Sequence, residues 1–131
     1  MKMMATRYLL VAVGGALGSM ARYWVGGLAP RLFGEGFPYG TLVVNVLGSF
    51  LISMVMGVSL NSTVIPVNAR IFLATGVIGG FTTYSAFNYE TVALLQQRLW
   101  LTGGLNILAT LLGCLVMGML GLLLAKLLVG P

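Results

Sequence analysis

The sequence predicts an all-α membrane protein: one four-helix transmembrane domain over residues 1–131. Three observations predict it. The chain is 59% hydrophobic and only 7% charged, against about 25% charge in a soluble domain, so lipid has to be the solvent for most of its surface. Four apolar segments, residues 8–28, 39–60, 71–95 and 102–125, each reach the length of a span, about 20 residues. The linkers between them are short. The first carries Pro30, Gly34, Gly36 and Pro38, and the second carries Pro66, all turn residues. Inside lipid each segment is expected to be helical, because a helix satisfies its own backbone hydrogen bonds.

The same composition excludes several functions. There is no Asp and no His, and the only acids are Glu35 and Glu90. That removes most routes to acid–base catalysis, His-ligated metals and His proton relays, so no enzyme is expected. A single cysteine, Cys114, excludes an intramolecular disulfide and any cysteine cluster. The net charge is +5, but the basic residues are scattered and form no nucleic-acid patch.

The first segment is too long for a cleaved signal, and its small-residue run after Gly15 lies inside the apolar stretch. It places Gly14, Gly18 and Arg22 four residues apart. The glycines suit close helix packing. Arg22, beside Tyr23 and Trp24, reads either as an interfacial anchor or as a vestibule charge.

The second segment repeats polar residues at Thr41, Asn45, Ser49 and Ser53, which a helix gathers on one slowly drifting face. Asn45 is the most demanding of these, because an amide in lipid needs partners. It reads as interhelical glue or as a pore-lining donor. The third segment reads TGVIGGFTTYSAFNYE from Thr75 to Glu90. Adjacent Gly79 and Gly80, followed by Thr82, Thr83 and Ser85, weaken a helix there. Two readings stay open: a kink, or a break whose freed carbonyls hold a monovalent cation. Tyr84 and Phe87 share a face just after it; they read either as packing or, because ring edges carry partial positive charge, as a contact for an anion. The fourth segment repeats the spacing with Asn106, Thr110, Cys114 and Gly118. Two polar stripes without charge suit a small dehydrated ion or an uncharged solute.

An even number of spans puts both termini on one side. That side then holds Lys2, Arg7, Arg70 and Lys126, and the other holds Arg22, Arg31 and Arg98. Orientation normally follows a Lys/Arg asymmetry. So small a difference admits either a weakly biased fixed topology or insertion in both directions.

Three blocks, GGALGSMARYWVG, GTLVVNVLGSF and TGVIGGFTTYSAFNYE, resemble the CrcB/Fluc family of fluoride channels, and the resemblance covers the whole chain. It implies a channel in a bacterial-type inner membrane that exports fluoride. It also implies an antiparallel, dual-topology homodimer with a break in the third helix, two pores and a central structural sodium ion. By the same resemblance Asn45 is the pore amide, and Tyr84 and Phe87 take the places of paired pore phenylalanines. The carbonyls of Gly79 and Thr82 would hold sodium, Arg22 would sit in the vestibule, and Ser85 and Thr110 would belong to a hydroxyl track. The family's usual TTFSTF is here TTYSAF, Asn88 stands where Ser is common, and Cys114 stands where Ser often is. The main rival, a small multidrug-type cation exporter, needs an acid embedded in its first span, and this chain has none there. Composition alone also allows a purely structural assembly subunit.

Overall fold

The computed structural model describes residues 2–130, and among these it is helical throughout, with no strand. Helix α1 is Lys2–Phe33, α2 is Tyr39–Asn61, α3 is Val67–Arg70, α4 is Gly79–Phe81, α5 is Tyr84–Gln96 and α6 is Trp100–Val129. A π-helical stretch, Ile71–Ile78, joins α3 to α4. Helices α1, α2 and α6 are each long and apolar enough to cross a membrane.

The first helix is longer than its apolar stretch and takes in Pro30, which the sequence assigns to a loop. Pro30 lacks an N–H and so cannot bond back one turn. The helix ends instead at Gly34, whose φ of +90° turns the chain while its N–H bonds the Pro30 carbonyl at 2.9 Å. That left-handed conformation suits glycine at a helix C-terminus.

The third apolar segment differs most from the expectation. It is helical from Val67 to Phe81 and again from Tyr84 to Gln96, with Thr82 and Thr83 extended between the two runs. Gly79, where the sequence places the weak point, is ordinary helix with φ −61° and ψ −37°. Gly76 and Gly80 serve packing instead. A Cβ on Gly80 would lie 2.5 Å from the Gly15 carbonyl, and one on Gly76 would lie 3.0 Å from the Cα of Gly14. On the facing side a Cβ on Gly14 would meet the Phe72 carbonyl at 2.7 Å, and one on Gly18 would overlap the Val77 carbonyl. Helix α1 and the π-helical stretch therefore touch backbone to backbone. Small residues permit this, and dispersion rewards it in a setting where hydrophobic burial gives little.

Helix α6 lies on α2 in the same way. A Cβ on Gly121 would overlap the Phe50 carbonyl, one on Gly57 would fall 2.6 Å from Ala125 Cβ, and one on Gly118 would fall 3.3 Å from Ser53 Oγ. The buried apolar core is small: Ala29, Val44, Ala74, Ile78, Phe81 and Ala125. Leu112, Val116, Leu120 and Leu123 of α6 point outward, as do Val13, Leu17 and Met20 of α1. A helix exposing such residues along its length fits lipid as its outer solvent.

Candidate functional site

An open groove of about 890 Å³ runs between α2, the extended residues and α6. Helix α2 contributes Asn45, Ser49 and Ser53. The third segment contributes Gly79, Thr82, Thr83, Tyr84 and Phe87, and α6 contributes Thr110, Cys114 and Gly118. Six of the eight site residues expected from the sequence therefore share one surface. Ser85 is exposed at the start of α5 and does not line it, although its Oγ lies 3.3 Å from Thr83 Oγ1. Arg22 lies on α1, half-buried and away from the groove.

Asn45 organises the interruption. Its Nδ2 donates to the Thr83 carbonyl at 3.0 Å, and its Oδ1 accepts the Thr83 N–H at 2.8 Å. Both residues are buried, Asn45 at 8% and Thr83 at 7% exposure. An extended residue inside a helical protein has lost its helical partners, and one amide side chain supplies both a donor and an acceptor to replace them. The second Nδ2 hydrogen of Asn45 has no acceptor among the described residues. Thr83 continues the device: its Oγ1 accepts the Ala86 N–H at 3.2 Å and caps α5. The sequence singles out Thr83 only as one hydroxyl in a run. Its N-cap position is readable locally, but its pairing with a residue 38 positions away is not.

The interruption also frees backbone. The Thr83 N–H is given to Asn45, so the Gly79 carbonyl lacks the donor that a continuous helix would supply four residues on. The Thr82 N–H and hydroxyl both turn back onto the Ile78 carbonyl, at 3.0 and 3.1 Å. The Ser49 hydroxyl is likewise spent on the Asn45 carbonyl at 2.7 Å. Thr110 lines the α6 wall, and its hydroxyl is buried without a partner. The Tyr84 and Phe87 rings sit 5.6 Å apart between centroids and are tilted by 59°, a favourable offset arrangement. Tyr84 is 76% exposed.

Two further polar pairs lie outside the groove and are not legible from spacing. The Thr41 hydroxyl donates to Glu90 Oε1 at 2.7 Å, joining α2 to α5. Asn106, which the four-residue stripe groups with Thr110 and Cys114, is 1% exposed and turns to Thr91 of α5 instead.

The groove wall is largely apolar, with a few neutral polar side chains and the aromatic pair, and no Lys or Arg lines it. Comparison with known proteins bears on what such a surface serves. A family described as CrcB-like protein, Camphor Resistance (CrcB), matches residues 9–122. A protein of Anaeromyxobacter sp. (strain K), called fluoride-specific ion channel FluC, is 53% identical over 124 residues, covering 95% of this chain and 98% of its own. A protein of the same name from Geobacter metallireducens is 48% identical over 116 residues, 88% of this chain and 94% of its own. One from Thermus thermophilus is 58% identical over 90 residues, 69% of this chain and 71% of its own. With a family match along most of its length and relatives this similar from end to end, the chain belongs to the CrcB family.

Proposed function

We propose that the protein is a fluoride-selective ion channel, not an enzyme, which lets cytoplasmic fluoride leave passively across a bacterial-type inner membrane. The observation that carries the reading is the near full-length similarity to proteins named fluoride-specific ion channels, and the chemistry of the groove supports it. Fluoride is small and holds its water tightly, so a path must offer donors in place of that water. The free Nδ2 hydrogen of Asn45, the unpartnered Thr110 hydroxyl and the ring edges of Tyr84 and Phe87 are donors of that kind. Ser85 extends the hydroxyl row at the start of α5, and Arg22 supplies positive charge off the path. Conduction needs sites weak enough to leave, and uncharged donors meet that need better than a lysine or arginine would.

A groove open along its length encloses an ion only when something covers it. In this reading the cover is a second copy in antiparallel orientation, giving two pores per dimer, and the balanced Lys/Arg tally supports insertion both ways. The two helical halves around Thr82 and Thr83 act together as the third span, broken where Asn45 grips it. A structural sodium ion fits the donor set. No cluster of His, Cys, Asp or Glu among the described residues is suited to a metal, whereas the Gly79 carbonyl lacks its helical donor and Gly79 is exposed on the groove. The carbonyls of Gly79 and Thr82 from both copies would hold the ion, and it would supply a fixed positive field near the pores. Removing sodium should therefore weaken the dimer without changing which ion is carried. A cation exporter finds no support in the groove, because Glu90 lies outside it and is bound to Thr41.

Liposomes holding the purified protein, loaded with fluoride or with chloride, test the reading. Rapid protein-dependent release of fluoride, with chloride retained, is expected. Retention of both ions, or release of both alike, would overturn it.

A further inference from the structure

Helix α5 carries the aromatic pair, so the placement of the Phe87 ring depends on how α5 is rotated and seated. The Asn45–Thr83 contact fixes only its N-cap, and the Thr41–Glu90 bond ties the helix to α2. A polar contact to α6 acts one turn beyond Phe87. The Thr91 hydroxyl donates to the Phe87 carbonyl at 2.7 Å, and Asn106 Nδ2 donates to that same hydroxyl oxygen at 2.9 Å. Thr91 is 6% exposed and Asn106 is 1% exposed.

The chemistry gives the chain a direction. A hydroxyl has one hydrogen to give. Thr91 gives its hydrogen to the carbonyl of the residue that bears the ring, and accepts from the amide on α6. A hydroxyl bonding back one turn also tilts that carbonyl and bends its helix. Gly103, near Asn106 on α6, lets the two helices approach at this level: a Cβ there would lie 2.8 Å from Leu95 Cδ2. In lipid an unpaired amide or hydroxyl finds no water to replace a lost partner, so the register of α5 on α6 is fixed at this point.

We propose that Asn106 and Thr91 are positioning residues for the anion path: through the Phe87 carbonyl they set the rotation of α5 and hence where the Phe87 ring meets the ion. This rests on the reading of the groove as a fluoride path. Neither residue touches the ion, and neither lines the groove.

The test uses the full chain in liposomes with three variants. Thr91→Val keeps the shape and removes the hydroxyl, Thr91→Ser keeps the hydroxyl, and Asn106→Leu leaves Thr91 bonded to Phe87 but takes away the α6 anchor. Dimer content and the fluoride dependence of flux are measured together. A purely structural role would lower the number of active dimers, and so the maximal flux, without moving the half-saturating fluoride concentration. Misplacing the ring moves that concentration even after correction for assembled dimer. Thr91→Val is expected to raise it about fivefold, the equivalent of one lost hydrogen bond, with Asn106→Leu doing the same and Thr91→Ser restoring the parent value. An unchanged half-saturating concentration in assembled Thr91→Val or Asn106→Leu overturns the proposal. So does a Thr91→Ser variant as impaired as Thr91→Val, and so does failure of both Thr91→Val and Asn106→Leu to assemble, which would make the pair structural. A parent protein that passes no fluoride would instead refute the channel reading itself.

Discussion

Replacing Asn45 with Leu tests the device that holds the interruption in place. Leucine is close to asparagine in size but can neither donate nor accept. The substitution strips two hydrogen bonds, at 2.8 and 3.0 Å, from a Thr83 that is 7% exposed. A buried polar group left unsatisfied costs about 1–3 kcal/mol, so the N–H and C=O together cost about 2–6 kcal/mol. Average interhelical hydrogen bonds within membranes are worth only about 0.6 kcal/mol, because the displaced groups find other partners. Here the nearest alternative partner for the Thr83 N–H is the Gly79 carbonyl. Reaching it means rewinding Thr82 and Thr83 into helix, which would fuse α4 with α5 and move the aromatic pair. The larger figure should appear where the interruption persists, and lost conduction where it closes. Thermal unfolding by circular dichroism in detergent, with fluoride release from liposomes, reads both. Parental melting together with parental fluoride release in Asn45→Leu would refute the argument that Asn45 holds Thr83.

Three further sets of substitutions probe the aromatic pair, the helix packing and the topology. Phe87→Ile removes the aryl edge and keeps an apolar side chain. The dimer should form, because a buried apolar swap typically costs only about 1–3 kcal/mol, while fluoride flux falls steeply. Tyr84→Phe should retain flux, and undiminished flux in assembled Phe87→Ile would mark that ring as packing. Gly18→Ala should destabilise the fold by about 1–3 kcal/mol or more, since its Cβ meets the Val77 carbonyl, whereas Gly15→Ala, with nothing within 4 Å of its Cβ, should melt like the parent. Equal melting temperatures for the two alanine variants would contradict the close approach of α1 to the π-helical stretch. Thr63→Lys with Val64→Lys, both exposed between α2 and α3, should bias insertion one way and depress flux by starving antiparallel pairs. Cysteine labelling of the terminus from both faces in the parent, and from one face in the variant, is the expected readout.

The helical character and the polar stripe of α2 are legible in the sequence because they follow from composition and from a period of about 3.6 residues. The third segment shows where that reading stops. Gly79–Gly80 looks like a weak point by local propensity, but the backbone stays helical there because Gly76 and Gly80 receive α1 at close range. The extended residues fall at Thr82–Thr83 because Asn45, 38 residues away, bonds both backbone groups of Thr83. No local pattern encodes that choice. Similarly, the four-residue repeat puts Asn106 in line with Thr110 and Cys114, yet packing of α5 on α6 turns Asn106 away from the groove to Thr91. Thr110 is the reverse case, since the repeat points it to the groove and the residue lines it.

The central claim is that this groove, closed by a second copy, passes fluoride and little else. The most direct measurement is the reversal potential of a planar bilayer holding the protein, with a tenfold fluoride gradient and equal chloride, sodium and proton concentrations on both sides. Reversal is expected near the fluoride equilibrium potential, about 59 mV for a monovalent ion at a tenfold gradient. Reversal at zero, or reversal that moves when a chloride or sodium gradient is imposed instead, would contradict it.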